Sequence, residues 1–276
     1  MLEFKHSISH IKYDIIGLSE IRRTGYNIEE SEEHIFCYFG ETKGQYGVGF
    51  LIKKYLKNNI ESFTAINERI CLLHLKFQNI NISLVQVHAP TSDSPEQEIK
   101  GFYDQIQESL KQCSKNVLVM GDFNARVGQK NKGENRILGN SCFGKRDKRG
   151  ETLLQFCWEN NFFVINSLFK KKNKNIWTWL SPNKNKSQID YILSNMKNKF
   201  TNIEVISNLS FPSDHRLVRS TLLITITKRS RSKFVGKSSK FSLETIDQKE
   251  KYIEALKRNF SNLKLEEYDT VEKYYE

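Results

Sequence analysis

The chain has 276 residues, of which 38% are apolar, and a formal net charge of +11. That length and composition exclude a wholly disordered chain and admit one large α/β domain or two small ones. No stretch approaches the ~20 apolar residues of a membrane helix, and Met1–Ser7 has no apolar core, so neither a membrane partner nor a secretory signal is expected.

Phe4 to Ile11 reads as a short helix leading into a mostly buried strand over Tyr13–Ser19. Gly47–Ile52, Arg69–Leu75 and Ile80–Val87 follow as strands. The last two alternate partially and flank Gln78-Asn79, which predicts a hairpin. The clearest helix comes next. Ser94 is read as its N-cap, Pro95 as its first residue and Gln97 as the partner of a capping box. Ile99, Phe102, Tyr103, Ile106 and Leu110 then fall on one face. Val117–Met120 is a buried strand. A second helix is predicted from about Gly150 to Asn161, with Leu153, Leu154 and Cys157 inward. Phe162–Ile165, Ile176–Trp179, Ile189–Leu193, Ile203–Ile206 and Leu217–Ile226 are further strands.

Many strands, few helices and mixed hairpin and crossover connections point to an α/β (α+β) fold of two packed sheets with helices outside. Residues 1–227 are read as one domain. A basic linker over 228–241 and a helical tail over 242–276 follow, the tail capped by Ser242 and bearing Leu243, Ile246, Ile253, Leu256 and Phe260. Five cysteines without a paired spacing fit free thiols better than disulfides or zinc.

The charge is clustered. Residues 126–150 hold eight Lys/Arg and two acids; residues 170–186 hold six Lys, and 228–240 six Lys/Arg, both without acids. Clustered basicity suits a phosphate backbone, although solvated loops would show it too. Lys228–Lys233 reads first as a flexible connector and second as a nuclear signal.

Polar clusters stand at the ends of four predicted strands: Ser19-Glu20, Asp122 with Asn124, Asp190, and Asp214-His215. Sites in α/β folds gather where strands end. Carboxylates and an amide around one point suit a hard divalent cation through oxygen ligands, and a histidine beside an aspartate is an oriented proton-transfer group. Together with basic surroundings they describe phosphodiester hydrolysis. Each cluster also has a plain alternative. Glu20 would be a solvated loop acid, Asp122 an Asx turn or helix cap, and His215 a surface histidine in a turn. Asp190 inside an apolar strand is the least easily explained as structural, because an unpaired buried carboxylate is costly.

In order along the chain stand Asp14 to Glu20, Gly47 to Phe50, Val85 to Thr91, Gly121-Asp122-Phe123-Asn124 with Arg126, Trp177 to Trp179, Gln188 to Ile192, and Ser213-Asp214-His215-Arg216. Over residues 10–226 this order resembles the endonuclease/exonuclease/phosphatase superfamily. It is similar in particular to endonuclease domains of RTE-type non-LTR retrotransposons and to craniofacial development protein 2-like sequences. The resemblance implies a four-layer α/ββ/α sandwich and a DNA endonuclease that uses Mg²⁺ or Mn²⁺ and acts in the nucleus. Glu20 would bind the metal, with Asp214 beside it. Asp122 would handle protons, Asn124 would position the phosphate, and Asp190 would orient His215. Arg126, Lys145, Arg146, Lys148 and Arg149 would meet the DNA backbone; Trp177 and Trp179 would lie near the substrate or in the core.

Two departures stand out. His88 occupies a position usually held by tyrosine, where it would donate a proton, contact phosphate, or simply be a satisfied buried histidine. The family's first strand carries an asparagine near metal and phosphate, whereas here the first asparagine, Asn27, follows Glu20. That strand is expected to be lacking, and the chain to be part of a longer parent with a reverse-transcriptase region. The alternatives kept beside the endonuclease are an inert nucleic-acid-binding remnant and a phosphatase or phosphodiesterase of the same fold.

Overall fold

A computed structural model of the chain describes residues 2–172, 175–207, 209–224 and 245–261. Two units are separable, Met1–Ile226 and Thr227–Glu276. In the first, α1 (Leu2–Ser7) leads to β1 (Ile15–Leu18), β2 (Gly25–Glu30), β3 (His34–Gly40), β4 (Val48–Lys53), β5 (Ile60–Asn67), β6 (Ile70–Phe77) and β7 (Ile80–His88). Then come α2 (Glu96–Leu110), β8 (Asn116–Asp122), α3 (Lys148–Glu159), β9 (Phe163–Val164), β10 (Trp179–Leu180), β11 (Lys186–Ser187), β12 (Asp190–Ser194), β13 (Phe200–Ile206) and β14 (Leu217–Leu222). The second unit contributes α4 (Ile246–Ser261). Its predicted cap Ser242, Leu243 and the basic linker lie outside the described residues.

One sheet runs β1-β4-β3-β2; the other runs β5-β6-β7-β8-β12-β9. β10–β11 and β13–β14 are separate two-stranded ribbons. Period-two alternation sorts the side chains into three apolar layers. Ile70, Leu72, Val85, Val87, Val117 and Val119 point to α2 and α3, where they meet Phe102, Ile106, Leu153 and Cys157. The intervening Cys71, Leu73, Ile82, Leu84 and Leu118 face the other sheet and meet Cys37, Phe50 and Ile52. Beyond that sheet, Ile16, Phe36, Tyr38 and Leu51 pack under Ile8 and Ile11. Three apolar layers between helices and sheets make the four-layer α/ββ/α sandwich.

The hairpin joins β6 to β7, with Phe77 opposite Ile80. β7 and β8 are parallel, and α2 supplies the crossover between them. The predicted capping box on α2 is overturned. The helix starts at Glu96, Pro95 stands at the cap, and no side chain caps it. α3 starts at Lys148, two residues ahead of prediction, because Asp147 Oδ1 accepts from the Gly150 amide at 2.7 Å. Of the predicted strand Ile176–Trp179 only Trp179 is in a strand, β10, which continues to Leu180, and Phe162–Ile165 shrinks to β9. β2, β3 and β5 are strands that the sequence reading left out. All five cysteines are free.

Candidate active site

Three predicted residues arrive in one row across the second sheet. His88 at the end of β7 is in register with Asp122 at the end of β8, and Asp122 faces Asp190 at the start of β12. β8 can deliver Asp122 there because Gly121 sits at φ 144°, and a Cβ on it would lie 1.9 Å from the Val87 carbonyl. Asn124, also at positive φ, turns back so that its amide donates to Asp122 Oδ1 at 2.8 Å and its side chain to the Ala89 carbonyl at 2.9 Å.

His215 enters from a different part of the chain. A β-bridge to Trp179 places it just ahead of β14. Its Nδ1 donates to Asp190 Oδ2 at 3.1 Å, which leaves Nε2 directed at Asp122 Oδ2, 3.9 Å away. One donor atom from each of Asp122, Asp190 and His215 lies within 4.8 Å of the other two.

The electrostatics follow from this crowding. Burial and the Asp190 charge push the Asp122 carboxyl up to about 8. Burial opposes a charge on His215. The hydrogen bond to Asp190 and the carboxylates of Asp190, Asp122 and Asp214 outweigh that, lifting it to about 9. His88 goes the other way. Burial and the nearby Arg69 bring it down to about 4, so it is neutral at pH 7. Its Nδ1 is buried with no hydrogen-bond partner among the described residues, and its Nε2 lies 3.9 Å from Glu20 Oε1.

Glu20 follows β1 at positive φ, is half exposed, and pairs with Arg22 at 2.7 Å. Asp214 Oδ2 accepts from Trp179 Nε1 at 2.8 Å. Both carboxylates line the cavity that holds the Asp122–Asp190–His215 group. The donor set fits a hard divalent cation: it is rich in carboxylate oxygen, with Glu20, Asp122, Asp190 and Asp214 lining one cavity.

The basic residues divide sharply. Arg146 is committed to the fold, with Nη1 and Nη2 on the Glu134 carboxylate at 2.6 and 2.7 Å and further bonds to the Val127 and Gln129 carbonyls. Arg149 is mostly buried and donates to the Ser94 carbonyl at 2.6 Å. Lys148 pairs with Glu96 on the surface and Arg126 with Asp147. Lys145 has no such partner among the described residues; it lines a basin of about 270 Å³ with Arg126, Lys186 and Gln188. Trp177 is buried, with the Arg216 guanidinium 3.1 Å from its ring centroid, whereas Trp179 is half-buried with its ring 6.4 Å from the His215 ring. Sequence reasoning missed Lys186, Arg69 and Tyr46. Lys186 was one lysine among six in its window. Arg69 stacks over Tyr46 at 4.3 Å, and the Tyr46 ring lies 6.3 Å from His88, a contact no local motif announces.

Comparison with known proteins places the chain in a family. "Craniofacial development protein 2" of Bos taurus is 30% identical over 221 residues, which cover 78% of this chain. The match spans 37% of that relative, so this chain corresponds to little more than a third of its length. The endonuclease domain of TRAS1, a telomere-specific non-LTR retrotransposon, superposes with a TM-score of 0.56 at 15% identity, covering 81% of this chain and 92% of that one. The 3′ phosphatase NExo from Neisseria, solved with a product DNA hairpin, gives 0.57 at 12% identity, covering 80% and 93%. The sequence pattern of the Endonuclease/Exonuclease/phosphatase family matches residues 1–215, and the chain belongs to that family.

Proposed function

We propose that this chain is a divalent-metal-dependent DNA endonuclease of retrotransposon descent that acts in the nucleus. The observation that carries the reading is the Asp190–His215–Asp122 arrangement at the strand ends, inside a cavity shared with Glu20 and Asp214. Glu20 and Asp214 would hold Mg²⁺ or Mn²⁺, which supplies charge neutralisation at the phosphate when bound.

The chain's own residues do the rest. Asp122, in its ionised form, takes the proton of the attacking water as its oxygen bonds to phosphorus. The P–O bond to the leaving nucleotide breaks, and the leaving oxygen collects a proton from solvent. His215, held as an imidazolium by Asp190, donates to a non-bridging oxygen and stabilises the charge that develops there. Asn124 orients the phosphate. His88, neutral, contributes a hydrogen bond rather than a proton. Arg126, Lys145 and Lys186 would meet flanking phosphates, and Trp179 would touch a sugar or base. Descent from a retrotransposon is supported by the order of the motifs, and a longer parent would carry the reverse-transcriptase region.

Supercoiled plasmid should be nicked with Mg²⁺ present and not with EDTA. Asp122→Ala and His215→Ala should each lower the rate by about two to four orders of magnitude. Equal rates in all three proteins would sink the assignment. Among the described residues β1 and β14 each pair with a single strand, which favours a second reading, an inert DNA-binding remnant; salt-sensitive binding with no nicking would select it.

A further inference from the structure

Glu20 is paired with a residue two places along the chain. Glu20 and Arg22 both stand in the left-handed region, at φ 50° and 58°. Side-chain-bearing residues persist there only where the surroundings enforce it. Here the loop before β4 enforces it. The Ile21 amide donates to the Gly47 carbonyl at 3.2 Å, and the Arg22 amide to the Tyr46 carbonyl at 2.8 Å. The backbone is thereby pinned, and both Glu20 and Arg22 line the cavity that holds Asp122, Asp214 and His215.

The ion pair that results is well formed. Arg22 Nη2 donates to Glu20 Oε2 at 2.7 Å, while Glu20 Oε1 lies 3.9 Å from His88 Nε2. Arg22 has no second acidic partner among the described residues, and its side chain is 64% exposed. The next residue behaves differently. Arg23 pairs with Glu29 at 3.0 Å and lies over the Phe36 and Tyr38 rings at 5.9 and 5.7 Å, so it is built into the first sheet. Two adjacent arginines thus have different standing: one braces a sheet, and the other is held at the site by Glu20.

We propose that Arg22 is an exchangeable partner of Glu20, giving up the carboxylate to a divalent cation and passing to a phosphate oxygen of DNA. The proposal rests on the reading of Glu20 as a metal ligand. A guanidinium and a divalent cation seek the same carboxylate oxygens and repel each other beside them. Magnitudes allow the exchange. An ion pair this exposed changes an equilibrium by at most about fivefold, so Arg22 competes with the cation without excluding it. Once displaced, its guanidinium remains tethered to a pinned backbone at the cavity, and its planar fork suits two phosphate oxygens. Cation and DNA then strengthen each other's binding by the same factor.

Titration of the full chain with Mn²⁺, read by electron paramagnetic resonance of the free ion, tests this without cleavage. Arg22→Met keeps an extended side chain and removes the charge. Without DNA it should bind Mn²⁺ about two- to fivefold tighter than wild type. Its melting temperature should match that of wild type, since the side chain is exposed. In a His215→Ala background, which slows turnover, a short DNA duplex should raise Mn²⁺ affinity by a larger factor when Arg22 is present than when Arg22→Met is added. Unchanged or weaker Mn²⁺ binding in Arg22→Met, the result for a residue that merely positions Glu20, would overturn the proposal. An equal effect of DNA with and without Arg22 would do the same. Glu20→Gln separates this from failure of the metal reading. If Glu20→Gln binds Mn²⁺ as wild type does, Glu20 is no ligand and both readings fall. If it loses Mn²⁺ while Arg22→Met gains nothing, the exchange alone falls.

Discussion

Asp122 stands where fold stability and chemistry pull in opposite directions. Its carboxyl holds a proton up to about pH 8 in the folded chain, against an ordinary value of roughly 3.9. Between those values the native state binds more protons than the unfolded state, so stability falls as pH rises through that window. His215 has the same sign: its affinity is raised to about 9 from roughly 6.5, so its contribution is complete below pH 6.5 and is lost towards pH 9. Asp122→Asn should therefore raise the melting temperature at pH 8 in EDTA and leave it nearly unchanged at pH 4. A difference as large at pH 4 as at pH 8 would contradict the shift. Asp190→Asn should shift the pH profile of nicking to lower pH and cut the rate, because it removes the negative charge that holds the His215 proton. Asp122, Asn124, Asp190 and His215 were legible in sequence because each is a polar residue at a strand end. The difference between Arg146 and Lys145 was not legible. Both are cations in one basic window, and only the placement of Glu134 turns the first into a brace.

At the scale of elements, the site depends on how β8 and α3 begin and end. Gly121 is required by its positive φ and by the Val87 carbonyl against which a side chain would collide. Asp147 caps α3 through Gly150, accepts from the Arg126 amide at 3.1 Å and pairs with its Nε at 2.8 Å. Asp147→Ala should cost about 1 kcal/mol, a fall of roughly 2–4 °C in Tm for a unit of this size, and Asp147→Asn less than half of that. Thermal melts of the two variants check this. Strands with one face on each apolar layer, such as β6 and β7, announce themselves as nearly continuous apolar runs. β2 does not, because it lies exposed along its length at the sheet edge. β5 is interrupted by register shifts between Ile60 and Ser62 and between Ala65 and Asn67, which break the alternation. The α2 cap was misread because Ser94 has the right residue type but the helix starts one residue beyond Pro95.

For the whole molecule, the net charge of +11 predicts DNA affinity that falls with salt. Lys145→Ala and Lys186→Ala should each reduce the slope of log K against log salt by about 1 and leave the melting temperature alone. Arg146→Ala should lower the melting temperature, since it strands Glu134 without its bidentate partner. A DNA-binding titration over a salt series, with melts of the same variants, separates the two behaviours. Among the described residues no helix is long and apolar enough to cross a membrane. The sequence by itself determined the class of fold and which polar residues gather at the candidate site, because alternation, turns and strand-end polar residues are local properties of the chain. Only the tertiary structure decided which cations have a partner among the described residues, which histidine is charged, and that among those residues β1 and β14 each pair with a single strand. Those depend on burial and on partners distant in sequence, and no local pattern encodes them.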